Sequence, residues 1–159
     1  MQVAFYKAGE GRLCGWTAAP PRRRRFTGTT MASGRDLPHD LAQFVVEQAL
    51  GLEHGFWGVL AQGGSFKSVP GRRQTQPGRQ ITREHQAQLG RAEALVNAHV
   101  NAWKTGTATP VGAALDAMLV RWRALALGDE LRLNWNVQGR RGRRTRDETA
   151  DDAGGMGTG

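Results

Sequence analysis

Three polar side chains recur at a spacing of four residues near the middle of the chain: His39, Gln43 and Glu47, with His54 a little further on. Residues four apart lie on one face of an α-helix, so the three would form a polar strip. Imidazole nitrogens and carboxylate oxygens bind divalent cations, and facing side chains at this spacing are how helices build metal sites. A histidine and a glutamate held together could also act as a general acid and base.

Metal binding needs more than this strip supplies. Glutamine is a poor ligand, and a closed site would require a further side chain, such as Asp40 or His85. The ordinary alternative is that His39 makes a local hydrogen bond near the helix start while Glu47 faces water. We therefore expect no metal and no cofactor, and keep His39 and Glu47 only as weak metal candidates.

The helix that positions the strip has marked ends. Asp36 can cap its N-terminus, Pro38 suits the first turn, and Asp40 places a negative charge near the positive end of the helix dipole. Gly51 is typical of the residue just past a last helical turn. Apolar residues follow the helical period on one face: Leu37, Leu41, Phe44, Val45 and Leu52.

The borders of the strip are also apolar. Ala42, Val46 and Leu50 stand where a surface helix would carry charged residues. A second short helix, predicted from Gly55 to Gln62, carries Trp57, whose ordinary role is core packing and whose alternative role is a groove wall. We expect the first helix to be covered on most of its circumference. The resulting groove or interface would be formed by His39, Gln43, Glu47, His54 and Trp57.

The segment LPHDLAQFVVEQALGLEHGFWGVLAQGGSF, residues 37 to 66, resembles a family of uncharacterised small bacterial proteins. The resemblance is carried by the Leu-Pro-His-Asp-Leu start, the Phe-Val-Val-Glu core and the Gly-Phe-Trp-Gly turn. Members often have His at the position of Gln43, which gives a His-x3-His-x3-Glu strip that this chain lacks. The resemblance implies the same fold unit and brings no activity with it.

The remaining sequence predicts a sheet and two further helices. Residues 2 to 7 and 12 to 18 predict a hairpin, residues 26 to 31 a third, edge strand, and residues 130 to 138 a half-buried strand that joins the hairpin. The two helices are predicted over residues 82 to 104 and from Thr109-Pro110 to Gly128, as an antiparallel pair. Residues 67 to 80 hold Pro and Gly without periodicity and predict a mobile connection.

The predicted fold class is α+β, with a small antiparallel sheet packed against a central helix and a helical hairpin. We expect a single domain over residues 1 to 138, with flexible loops at about 20–36 and 64–80, and a disordered charged tail over 139 to 159.

The net charge of +8 includes +4 from the arginine run at residues 22 to 25, whereas the five arginines of residues 140 to 146 are largely offset by four acidic residues that follow, so residues 139 to 159 total +1. Residues 26 to 138 carry 11 basic and 9 acidic side chains, so the predicted domain body is close to neutral. The runs could bind nucleic acid weakly and without sequence preference, or could simply be solvated. The candidate nucleic-acid-binding residues of the runs are Arg22, Arg23, Arg24 and Arg25, and then Arg140, Arg141, Arg143 and Arg144.

The sequence does not favour an enzyme. It has no G-x-S-x-G, P-loop or H-E-x-x-H motif. The one cysteine, Cys14, excludes an internal disulfide and is expected to be buried. No apolar run reaches the length of a membrane span and no signal-peptide pattern is present, so we expect a cytoplasmic protein without membrane contact.

Three functions remain open. The first is a non-enzymatic binding or interaction module for a protein or small ligand, the second is weak polyanion binding, and the third is a metal-dependent hydrolase on the His39/Glu47 strip. A homodimer through the helical hairpin would need an apolar second face, whereas Arg91, Glu93 and Arg121 favour a solvated outer side.

Overall fold

The fold is α+β, as the sequence predicts. The structure is a computed structural model that describes residues 1–8, 13–20, 25–28, 31–32, 37–67, 69 and 75–137. Its elements are β1 (Gln2–Ala8), β2 (Leu13–Ala19), β3 (Phe26–Thr27), β4 (Met31–Ala32), α1 (His39–Ala49), α2 (Phe56–Gln62), α3 (Gln76–Glu84), α4 (Gln86–Lys104), α5 (Gly112–Ala124) and β5 (Glu130–Asn134). None of the described helices has the length and apolar character of a membrane span.

The sheet is antiparallel with the strand order β3-β2-β1-β5, so the predicted last strand joins the predicted hairpin at one edge. Strand β1 pairs with β2 on one side and with β5 on the other. Phe5 stands opposite both Trp16 and Leu131, so alternate residues of three strands make one apolar row. The predicted single strand over residues 26 to 31 is wrong in detail, because β3 and β4 are separate two-residue strands that each pair with β2.

Helix α1 occupies the centre of the helical layer. It contacts both α4 and α5, and the Phe44 ring meets Phe5 of the sheet edge-on at 5.9 Å between centroids. Burial extends round both sides of the helix, as the apolar borders of the strip predicted. The helix ends as expected, with Gly51 in the left-handed region at φ 66°. Pro38 stands at the N-cap position rather than in the first turn, and the proposed cap Asp36 lies outside the described residues.

The prediction of a connection up to residue 80 and of one helix over 82 to 104 is wrong. Helix α3 begins at Gln76, where the Thr75 hydroxyl accepts a hydrogen bond from the Gly78 N–H and Pro77 stands in the first turn. His85 then separates α3 from α4 with φ −104° and ψ 11°. Pro77 and Gly78, which suggested a loop, lie in the first turn of α3, where the missing N–H of proline costs little and the Gly78 N–H donates to the cap.

Helices α4 and α5 are joined as a pair, as predicted. The Trp103 indole N–H donates to Asp116 Oδ1 at 2.8 Å, and His99 Nδ1 lies 2.7 Å from Thr109 Oγ1. Helix α5 is shorter than predicted at both ends, since it begins after Thr109-Pro110 and ends before Gly128. The side chain of Cys14 is buried in the core, as expected.

Candidate functional site

Glu47 is the most unusual residue of the predicted strip, because its charged side chain is fully buried. Its Oε1 accepts hydrogen bonds from the Gln43 amide at 2.8 Å and from the Phe56 N–H at 2.9 Å. Its Oε2 accepts from the Trp57 N–H at 3.0 Å. These are the first N–H groups of α2, so a side chain of α1 caps the start of α2.

Gly55 makes this cap possible. It is the N-cap residue of α2 and has no side chain to accept a hydrogen bond, so the acceptor comes from Glu47. A Cβ at position 55 would overlap the Glu47 carboxylate. The carboxylate therefore occupies the space that an ordinary N-cap side chain would fill.

Burial raises the pKa of Glu47 to about 7, although the hydrogen bonds from Gln43, Trp57 and Phe56 act in the opposite direction. The pKa of His39 is also raised, first by its hydrogen bond to Asp40, while partial burial opposes the rise. The His39 side chain is 51% exposed and Glu47 is 0% exposed, so the strip runs from solvent into the core. The expectation that Glu47 faces water is wrong, whereas the local hydrogen bond of His39 is confirmed.

Asp40 accepts hydrogen bonds from two tryptophan side chains. Its Oδ2 accepts from the Trp16 indole N–H at 2.8 Å, and its backbone carbonyl accepts from the Trp57 indole N–H at 3.2 Å. Trp57 is 0% exposed and therefore packs in the core instead of lining a groove. Within the described ranges, no group of three or more His, Cys, Asp or Glu side chains is arranged to hold a metal ion.

A groove lies between α4 and the turn that joins α1 to α2. It encloses about 330 Å³ between residues 51–55 and one face of α4. Leu52, Ala92 and Leu95 supply apolar surface, and Leu95 is 43% exposed. The polar lining residues are Glu53, His54, Gln88 and Arg91. Of the five residues predicted for a groove, His54 alone lines this one.

The His54 ring is held in place by His85 and Gln62. Its ring stacks on that of His85 with centroids 4.1 Å apart and planes 7° from parallel, and its Nδ1 lies 3.2 Å from the Gln62 amide. His85 Nδ1 is buried and has no hydrogen-bond partner among the described residues. The stack fixes the orientation of the imidazole that forms one wall of the groove.

Sequence reasoning missed the α4 half of the groove. Gln88, Arg91, Ala92 and Leu95 recur at helical spacing, but that pattern alone does not show which surface they face. Of the predicted polyanion-binding arginines, Arg25 is exposed, and Arg22 to Arg24 and Arg140 to Arg144 lie outside the described residues.

No protein-family model matches this chain, and no curated protein or solved structure matches it either. The resemblance of residues 37 to 66 to a bacterial family therefore stays a prediction.

Proposed function

We propose that the protein is a non-enzymatic binding module whose ligand site is the groove between residues 51–55 and α4. The groove itself is the observation that carries the proposal. Its volume of about 330 Å³ falls at the lower end of the range of small-molecule pockets, roughly 300–1,000 Å³. Apolar walls with a few polar groups are also typical of such pockets.

The lining favours a small ligand with an apolar body and a carboxylate. Leu52, Ala92 and Leu95 can cover the apolar part, and the exposed guanidinium of Arg91 can pair with the carboxylate. The His54 ring, fixed by its stack on His85, offers a polar edge that would orient the ligand.

Catalysis by the strip is not part of the proposal. A general base or metal ligand must reach its substrate or ion, whereas Glu47 is fully buried and both of its oxygens already accept hydrogen bonds. A cytoplasmic location is part of the proposal and is supported by the lone buried thiol, which suits a reducing compartment. Weak polyanion binding through the arginine runs stays a prediction.

The test is an NMR titration of the full chain with hydrocinnamate, its amine analogue and its neutral alcohol analogue. We expect hydrocinnamate to shift the amide signals of residues 51–55 and 88–95, with an affinity on the order of millimolar for so small a probe. Arg91→Gln should remove the preference for the carboxylate, and Leu95→Gln should weaken binding of all three by removing apolar surface. Val120→Gln changes an exposed apolar residue outside the groove and is the control. The absence of shifts at the groove with all three probes would refute the proposal.

A further inference from the structure

An apolar surface on α5 has no cover among the described residues. Val120 is 70% exposed, and Ala113, Ala117 and Ala124 are exposed on the same face of the helix. Leu127, just beyond the helix end, is 61% exposed. We call the four helical residues the α5 face. A solvated helix normally carries charged residues on such a face, and large apolar side chains left in water indicate an interaction surface.

Charged residues border both edges of the α5 face: Arg121 stands beside one edge, and residues of opposite sign stand along the other. Asp116 and Arg123 are both exposed and are seven residues apart, which is about two helical turns. Asp116 Oδ1 accepts from the Trp103 indole, so Oδ2 remains to accept from a further donor. This edge is therefore acidic toward the start of α5 and basic toward its end.

We infer that the α5 face binds a second copy of this chain, with the two α5 helices antiparallel about a two-fold axis. In such a pair each edge of one helix lies beside the same edge of the other, with its direction reversed. A two-fold axis near residues 119 and 120 then places Asp116 level with Arg123 of the second copy, and the reverse pair forms by symmetry. Val120 packs near the axis, where the alanines allow the two backbones to approach closely.

The contact is small. Helix α5 has 13 residues and is about 20 Å long at 1.5 Å per residue. Two such helices bury less than the roughly 1,200–2,000 Å² of a standard stable interface. The dissociation constant is therefore expected on the order of 10–100 μM, so that monomer and dimer exchange with concentration.

Sedimentation equilibrium of the full chain, over about two decades of concentration around that constant, tests the proposal. The wild type should pass from monomer to dimer, and Val120→Glu should raise the dissociation constant at least about tenfold, because it buries two carboxylates near the axis. Leu95→Glu makes the same change at an exposed leucine of the groove and should leave self-association unchanged. A chain that is monomeric throughout, or a dimer unaffected by Val120→Glu, would overturn the inference.

A charge exchange tests the orientation. Asp116→Arg should weaken the dimer by placing two basic residues together, and adding Arg123→Asp should restore it. Chemical denaturation of each variant checks the fold, since Asp116 also accepts a hydrogen bond from Trp103. A double variant that associates no better than Asp116→Arg would overturn the antiparallel pairing.

Discussion

At the scale of single residues, the most informative position is Glu47, a carboxylate held in the core without an ion pair among the described residues. A buried charge is costly unless it is neutralised or hydrogen-bonded. The N–H groups of Phe56 and Trp57 and the amide of Gln43 supply the hydrogen bonds. Glu47 therefore joins α1 to α2 and sets the position of the turn that forms one wall of the groove.

Stability should depend on pH through Glu47. Its folded pKa of about 7 lies above the ordinary 4.5, so the folded protein binds this proton more tightly than the unfolded chain. The contribution of Glu47 should therefore fall as pH rises from 4.5 to about 7 and then stay level, with a total change on the order of 3 kcal/mol. Urea denaturation across this range measures the free energy of unfolding.

The matched variant is Glu47→Gln, which cannot ionise. It places an amide group against a backbone donor and should cost about 1–3 kcal/mol relative to the wild type at pH 4.5 and below, where Glu47 is largely protonated. The difference between wild type and variant should shrink as pH rises toward 7, and a constant difference would contradict the role of burial. His39→Gln is the second control. Because the pKa of His39 is raised, its contribution to stability changes with pH only above its ordinary 6.5, and the effect should be small since the side chain is half exposed.

A methyl group at position 55 should be far more harmful than one at position 90. Gly55→Ala would overlap the Glu47 carboxylate and should cost about 1–3 kcal/mol in the free energy of unfolding. Gly90 lies in α4 with open space around its Cα, so Gly90→Ala should stabilise the protein by about 0.5–1 kcal/mol. Thermal denaturation of the two variants shows whether each change lowers or raises the stability of the protein. Equal effects would show that the Gly55 contact does not constrain the fold.

The sequence located the strip but could not show how deep each member lies. Helical spacing predicts that His39, Gln43 and Glu47 share a face, and it does not predict that α2 folds back onto the last of them. The signal that could have been read is Gly55 at a helix start without its own cap, eight residues after an acidic side chain in an apolar run.

At the scale of elements, the Lys7 side chain connects the sheet to the C-terminal end of α5. Lys7 Nζ on β1 donates to the Leu125 carbonyl at 2.6 Å, beyond the last turn of α5, and stands 5.4 Å from the centroid of the Trp122 ring. A cation at a helix C-terminus satisfies carbonyl groups that have no partner within the helix and complements the helix dipole. Lys7 therefore orients α5 against the sheet.

Lys7→Met should destabilise the protein by about 1–2 kcal/mol, because the carbonyl loses a charged donor while the apolar stem is kept. Lys104→Met removes the corresponding cation from the last turn of α4, where the side chain is exposed, and should cost less than about 0.5 kcal/mol. Urea denaturation midpoints compare the two. Similar losses would mean that the general charge at a helix end, and not the link to the sheet, is responsible.

Elements with a strong local signal were predictable, and elements that depend on tertiary contacts were not. The hairpin and β5 follow from alternation and turn residues, and the end of α1 follows from Gly51. Helix α3 was missed although Thr75 and Pro77 mark its start. The remainder of the helix has few apolar residues and is positioned by distant contacts: the Thr82 hydroxyl donates to the Ser65 carbonyl at 2.9 Å and accepts from the Ser65 N–H at 3.1 Å. Such contacts leave no period in the sequence.

At the scale of the whole molecule, the first strand of the chain pairs with the last described strand. Strand β1 lies between β2 and β5, and Met1 and Trp135 exchange backbone hydrogen bonds at 2.8 and 3.2 Å. On β5, Leu133 stands opposite Val3 and Leu131 stands opposite Phe5. Without β5 the central strand would become an open edge with part of the core uncovered.

A chain that ends at residue 128 should therefore lose its cooperative unfolding transition, whereas a chain that ends at residue 137 should keep it. The longer chain retains every core contact of the described residues, including Trp135. Calorimetry of the two truncated chains measures the transition. A cooperative transition in the shorter chain would show that β5 is not part of the folding unit, and its loss in the longer one would show that residues 138 to 159 belong to the domain.

The two indoles that share Asp40 give the molecule an optical signature. The Trp16 and Trp57 rings lie 4.8 Å apart at 65° to each other, and both are fixed by hydrogen bonds to one residue at the start of α1. Transition dipoles this close and this rigid couple, so the folded protein should show an exciton couplet in circular dichroism. Its amplitude would follow the docking of α2 against β2 directly, without a label.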